Sequence, residues 1–230
     1  MLEAINLSKQ YDKKSALENL SLTVAAGEVY CLLGQNGAGK TTTINLFLGL
    51  IKPSSGKALI DGIEVGTSGA ARSRIAYIPE VVQLYGNMSG VENLKFFSKL
   101  SGFSYTQKEL IALLSKVGLK DSDVTKRLSS YSKGMRQKVG IAIALSKNAK
   151  VIFMDEPTSG LDPKATDEFT TICKELANEG KSLFMATHDI FNAVNVGSRI
   201  GIMKEGQLVY STETSQFSAN ELQELYLKTI

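Results

Sequence analysis

Two cysteines in 230 residues, Cys31 and Cys173, exclude a disulfide framework and suggest no zinc site, and both are expected to be core packing. No apolar stretch approaches the roughly 18 to 20 residues that span a bilayer, and Met1-Leu2-Glu3 opens no secretory leader. The expectation is a soluble, cytoplasmic chain. Neither sign of charge dominates: 26 Lys and Arg stand against 23 Asp and Glu, spread along the sequence. That leaves no electrostatic footprint for gripping nucleic acid. There is one histidine, no internal repeat and no low-complexity tract. The length suits one large domain, or one domain carrying an insertion, with a real core.

What is present centres on Gly34-Gln35-Asn36-Gly37-Ala38-Gly39-Lys40-Thr41, which fits the phosphate-loop pattern G-x-x-x-x-G-K-[ST] at every fixed position. The apolar run 29–33 before it reads as a buried strand, and Ile44, Phe47, Leu48 and Ile51 after it recur at helical spacing. Glycine lets the backbone turn its N–H groups toward phosphates, aided by the positive end of the helix that starts there. The expected ATP contacts are Gly34, Asn36, Gly37, Ala38, Gly39, Lys40, Thr41 and Thr42. Lys40 would reach the β- and γ-phosphates, and the Thr41 hydroxyl would ligate Mg²⁺.

Taken in order, residues 20–24 alternate apolar and polar as a strand with one wet face, turned by Ala25-Ala26-Gly27 into the phosphate-loop strand. Asp61-Gly62 between apolar residues predicts a hairpin. Tyr11, in the polar segment Lys9-Gln10-Tyr11-Asp12, reads as a loop tyrosine. Residues 75–78 form a short buried strand ended by Pro79. Helices follow to about residue 148. Ser89 with Glu92 and Thr106 with Glu109 are capping boxes; the first helix is expected to turn Leu94, Phe97 and Leu100 inward, the second Leu110, Leu113, Leu114 and Val117 up to Gly118. Ser132 caps a further helix with Met135, Val139, Ala142 and Ile143 as its inner face.

The apolar run 151–154 ends in Asp155-Glu156, as a central parallel strand delivers carboxylates to its C-terminal edge. Buried carboxylates are costly without a task. The expected tasks are Mg²⁺ for Asp155 and general base toward water for Glu156, with an acidic helix cap as the bland alternative. Asp162-Pro163 opens a helix with Phe169, Ile172, Cys173 and Leu176 inward and Gly180 past its end. Residues 181–187 read as another buried strand, with His188 at the same edge as the two carboxylates. Residues 199–210 form a hairpin around Lys204-Glu205-Gly206, and Ser218 with Glu221 caps a last helix.

This order of motifs resembles the nucleotide-binding subunit of ABC transporters over essentially the whole chain. The resemblance implies an α/β fold: a P-loop NTPase core with a mostly parallel sheet, an N-terminal antiparallel β subdomain and an inserted α-helical subdomain. Residues 1–80 and 149–212 are then the nucleotide-binding core, 81–148 the helical subdomain and 213–230 a C-terminal helical tail of one domain. Tyr11 looks like the aromatic that stacks on adenine, and His188 like the switch histidine that contacts the γ-phosphate. Ser132, Lys133, Gly134 and Met135 match the family's signature Leu-Ser-Gly-Gly-Gln, with Lys133 for a glycine and Met135 for glutamine. Ser159-Gly160-Leu161-Asp162 looks like the loop that crosses a dimer interface, with Asp162 as its interface residue, and Glu80 stands where the family has a lid glutamine, as a stronger Mg²⁺ ligand than an amide.

The implied machine is a homodimer or heterodimer of ATPase subunits that sandwiches two ATP with Mg²⁺. It drives a polytopic membrane permease from the inner face of the cell membrane, and about residues 81–97 receive the stroke. Glu80, the signature variants and Gln83-Leu84-Tyr85 resemble the export branch that handles drugs, lipids, polysaccharides or peptides, and a group serving copper-enzyme maturation. The alternatives are an importer motor, a non-transport ATPase on DNA or ribosomes, and an inactive ATP-binding subunit.

Overall fold

The computed structural model describes residues 1–12, 14–66 and 69–230. Two sheets build it. Strands β1 (Leu2–Tyr11), β2 (Lys14–Val24), β4 (Ser55–Ile60) and β5 (Ile63–Glu64) form an antiparallel sheet in the order β2-β1-β4-β5. The second sheet runs β10-β9-β3-β8-β7-β6, from β3 (Val29–Gly34), β6 (Ile75–Ile78), β7 (Val151–Asp155), β8 (Ser182–Thr187), β9 (Arg199–Lys204) and β10 (Gln207–Glu213). All its pairings are parallel except the β9–β10 hairpin. Buried on both faces, β3 and β8 can be continuous apolar runs, because no side chain of theirs has to meet water.

Period-two alternation splits the central strands between two cores. Cys31, Leu33, Ile152, Met154, Leu183 and Met185 face the helical side. Tyr30, Leu32, Phe153 and Phe184 face α1 (Lys40–Phe47) and the antiparallel sheet. Phe47 of α1 rests on Phe153 at 5.5 Å and on Phe184 at 6.2 Å, so an aromatic stack seats this helix on the sheet.

Between β6 and β7 lie α2 (Gly90–Leu100), α3 (Gln107–Lys116) and α4 (Lys133–Ser146). Both expected capping boxes in this segment form with reciprocal bonds. After β7 come α5 (Pro163–Asn178), α6 (Ile190–Val196) and α7 (Ala219–Thr229), the last packed on α6 and β9. Among the described residues no helix is long and apolar enough to cross a membrane.

The hairpins form as expected, with both residues of each turn left-handed: Asp61 and Gly62 at φ 49° and 73°, Glu205 and Gly206 at 49° and 84°. Three expectations need correction. Tyr11 is the last residue of β1 rather than a loop tyrosine, in a ten-residue strand whose bulges broke the alternation. Leu100 is 73% exposed, because stepping i, i+3, i+6 walks off a helical face; the inner stripe of α2 is Val91, Leu94 and Ser98. In α4, Met135 and Ile143 are only half-buried, while Gln137 and Ile141 are inside.

Candidate functional site

The C-terminal ends of β3, β6, β7 and β8 converge where the chain leaves β3 for the far edge of the sheet, the crevice that open α/β sheets offer to ligands. The turn after β3 is held by the Ala38 N–H donating to the Gln35 carbonyl at 3.1 Å and clamped by the Gly206 N–H on the Ala38 carbonyl at 2.9 Å. A Cβ on Gly34 would lie 2.7 Å from the Met203 carbonyl oxygen, so the β9–β10 hairpin presses directly on the loop. Gly39 then caps α1 with no side-chain hydrogen bond and no acidic residue in the first turn. Elsewhere α2, α3 and α7 carry capping boxes and α5 an aspartate cap. The first N–H groups of α1 are therefore left for an anion, where the helix dipole is positive.

Lys40 is buried, and its ammonium donates to the Gly34 carbonyl at 2.5 Å and the Gln35 carbonyl at 3.3 Å, 3.8 Å from Glu156 Oε1. Burial lowers its pKa, although Glu156 and Asp155 pull the other way. The Thr41 hydroxyl donates to Asp155 Oδ2 at 3.1 Å. Burial raises the Asp155 pKa; the Thr41 bond and Lys40 oppose that, while Glu156 and Glu80 push it further up. Glu156 sits in the left-handed region at φ 44°, fixed by its N–H on the Ala186 carbonyl at 2.8 Å. That aims Oε2 at the Thr187 hydroxyl (3.1 Å), the His188 N–H (3.3 Å) and His188 Nδ1 (2.9 Å).

Tyr11, Asn36, Gly37, Gly39, Lys40, Thr41, Thr42, Glu80, Asp155 and Glu156 all line one cavity of about 400 Å³. Gly34 and Ala38 back the loop instead, Ala38 facing a separate hollow beside Met203. One face of the Tyr11 ring carries the Lys9 ammonium, 4.9 Å from its centre. An uncapped helix, glycine-walled turn and lysine fit a triphosphate. A threonine hydroxyl bonded to a carboxylate brings together the hard oxygen donors that fit its divalent cation.

The expected signature residues stand elsewhere. Ser132 caps α4, its Oγ accepting the Met135 N–H at 3.2 Å, and neither it nor Lys133, Gly134 or Met135 lines the cavity. Asp162 caps α5 through the Ala165 N–H at 2.9 Å. A Cβ on Gly134 would lie 3.1 Å from the Ala165 Cβ, so the two helix starts abut.

Four neighbours were not singled out from the sequence. Lys14 and Ala16 line the cavity, and only their nearness to Tyr11 hinted at it. Thr187 on Glu156 had no local signal. Gln137, buried in α4, donates to the Pro157 carbonyl at 3.0 Å, and its only sign was its place in Arg136-Gln137-Lys138-Val139, which continues the signature match.

Residues 17–159 match the family described as ABC transporter. The chain is 34% identical to the lantibiotic transport ATP-binding protein SrtF of Streptococcus pyogenes, over 98% of this chain and 96% of that protein. It is also 34% identical to the bacitracin transport ATP-binding protein BcrA of Enterococcus faecalis, over 94% of this chain and 70% of that one. Among solved structures it is similar to the dimeric post-hydrolysis state of the ATP-binding cassette MJ0796 bound to ADP and Pi. That match has a TM-score of 0.82 and 26% identity, covering 93% of this chain and 99% of that one.

Proposed function

Because this chain belongs to the ABC transporter family as an ATP-binding subunit, we propose that it hydrolyses ATP as one of a pair of subunits and drives a membrane permease in export. The observation that carries this is the meeting of Lys40, Thr41, Asp155 and Glu156 at the uncapped start of α1.

The loop from Gly34 to Thr42 holds the phosphates, with Lys40 on the β- and γ-phosphates and Tyr11 stacked on adenine. Thr41, Asp155 and Glu80 would hold Mg²⁺, which would supply charge neutralisation on the transferring phosphoryl group. Glu156 takes a proton from the attacking water, and His188, bonded to its Oε2, orients the carboxylate and reaches the γ-phosphate. Ser132, Lys133, Gly134 and Met135 complete the partner's site across the interface near Asp162. Their distance from their own cavity supports action in trans, as does the dimeric cassette with ADP and Pi.

The permease side is the start of the helical insertion, residues 81–97, where Val81 and Tyr85 are exposed and Tyr85 packs edge-on to Phe96 at 5.2 Å. Relatives named for lantibiotic and bacitracin transport support the export reading and a place on the inner face of the membrane. Glu156→Gln tests the enzyme: ATP binding persists while hydrolysis falls by about a hundredfold or more. Unchanged hydrolysis removes Glu156 from the role of base.

A further inference from the structure

The Ser159 hydroxyl donates to Glu80 Oε1 at 2.9 Å, joining residues 79 positions apart. Glu80 follows Pro79 just past the end of β6 and lines the nucleotide cavity. Among the described residues its other oxygen makes no hydrogen bond or ion pair. A carboxylate on such a segment has free rotation about three bonds, and fixing it costs entropy that a metal ion must otherwise supply.

The donor, by contrast, is already held. The Ser159 N–H donates to the Glu156 carbonyl at 3.1 Å. Gln137 grips the preceding Pro157 carbonyl at 3.0 Å, and Asn192 donates to the buried Thr158 hydroxyl at 3.2 Å. The loop is therefore stapled from α4 and α6 before it meets Glu80. A hydroxyl presented from fixed backbone takes up Oε1 and leaves Oε2 for the cavity. The neutral donor withdraws little charge, so the gain in orientation outweighs the loss in ligand strength.

We infer that Ser159 is a positioning residue for the metal in this site: it orients Glu80 so that one carboxylate oxygen is presented to the divalent cation of the bound nucleotide. The inference rests on the proposed role of Glu80 as a metal ligand. Neither the lid position nor Ser159 makes this link visible in sequence, because it joins two loops that only the β6–β7 pairing brings side by side.

The test uses the full chain with Glu156→Gln to prevent turnover, in excess over ATP, titrated with Mn²⁺ while free Mn²⁺ is followed by electron paramagnetic resonance. Ser159→Ala is expected to weaken Mn²⁺ binding about tenfold, as removal of outer-shell partners does, with Ser159→Thr, which keeps the hydroxyl, within about twofold of the parent. On a Glu80→Ala background, Ser159→Ala should add less than about twofold, because its only route to the metal is gone. A full Ser159 effect on that background overturns the inference. So does an unchanged Ser159→Ala affinity when Glu80→Ala alone is weakened. If Glu80→Ala itself leaves Mn²⁺ binding unaltered, the ligand role of Glu80 fails and the inference goes with it. Matching melting temperatures of the metal-free variants exclude misfolding as the source of any loss.

Discussion

Gly39 has φ +109°, and a Cβ there would lie 2.7 Å from the Ala16 carbonyl oxygen and 2.9 Å from Met203 Cε. Gly37 shares the left-handed backbone at φ +84° but has nothing within 4 Å of the same position. Strain alone acts at Gly37, strain plus a backbone clash at Gly39. Gly37→Ala is expected to cost about 1 to 2 kcal/mol and Gly39→Ala about 3 kcal/mol or more, by urea denaturation. Only the second should displace the start of α1 and abolish nucleotide binding, read by titration with a fluorescent ATP analogue. Electrostatics at this scale points the same way. Burial lowers the Lys40 pKa and raises that of Asp155, so it disfavours the charged form of each. A triphosphate beside Lys40 and a divalent cation beside Asp155 would each favour that charged form, so added nucleotide and cation are expected to raise the melting temperature.

In α2, Leu94 lies fully inside the helical core, while Leu100 at the last turn is 73% exposed. Leu94→Ala should cost about 2 to 5 kcal/mol in chemical denaturation and Leu100→Ala less than about 0.5 kcal/mol. Equal losses at both positions would put the buried face of α2 elsewhere. The β4–β5 hairpin is tied to the second sheet through Asp61, which accepts from the Met1 amine at 3.0 Å, Arg74 at 2.7 Å and Lys150 at 3.3 Å. Desolvation would raise the Asp61 carboxyl, but these three cations outweigh it and pull the pKa from 3.8 to about 2. A depressed carboxylate contributes stability above its unfolded pKa, and that contribution is lost as pH falls from about 4 toward 2. Arg74 and Lys150 are partly exposed, which screens the network. Asp61→Asn keeps a side chain that accepts the left-handed turn, and should lower stability by about 1 kcal/mol at neutral pH. The difference should vanish near pH 2 and shrink in about 0.5 M salt, measured by denaturation across pH.

For the whole molecule, the informative surface is the aromatic group Tyr85, Phe96 and Phe97, with Phe96 meeting Phe97 at 5.3 Å. Tyr85 and Phe96 are exposed, and Val81, four residues before Tyr85 in the chain, is 59% exposed. An apolar surface cluster of this kind suits the proposed permease contact, and it lies outside the cavity-lining residues. Phe96→Asp should leave the hydrolysis rate of the isolated protein within about twofold, because no reacting group is touched, while co-purification of the membrane partner from solubilised membranes is lost. Retention of a stoichiometric partner by that variant would move the permease contact off this face.

Much of the fold was legible because its signals are local. The capping boxes at Ser89, Thr106 and Ser218 and the turns at Asp61-Gly62 and Glu205-Gly206 are each specified within four residues, by hydrogen bonds the chain makes to itself. The phosphate loop, the apolar runs of β3, β7 and β8, and the carboxylates and histidine at their ends likewise follow from residue type and short spacing. Only tertiary structure decided what those ends meet. The Thr41–Asp155 bond spans 114 positions and Thr187–Glu156 spans 31; both exist because the sheet order sets β3, β8 and β7 side by side. The same holds for the three cations on Asp61 and for Ser159 on Glu80. Spacing along the chain sets periodicity and turn chemistry over a few residues. Long-range partners are set by which surfaces bury one another, and no local pattern carries that information.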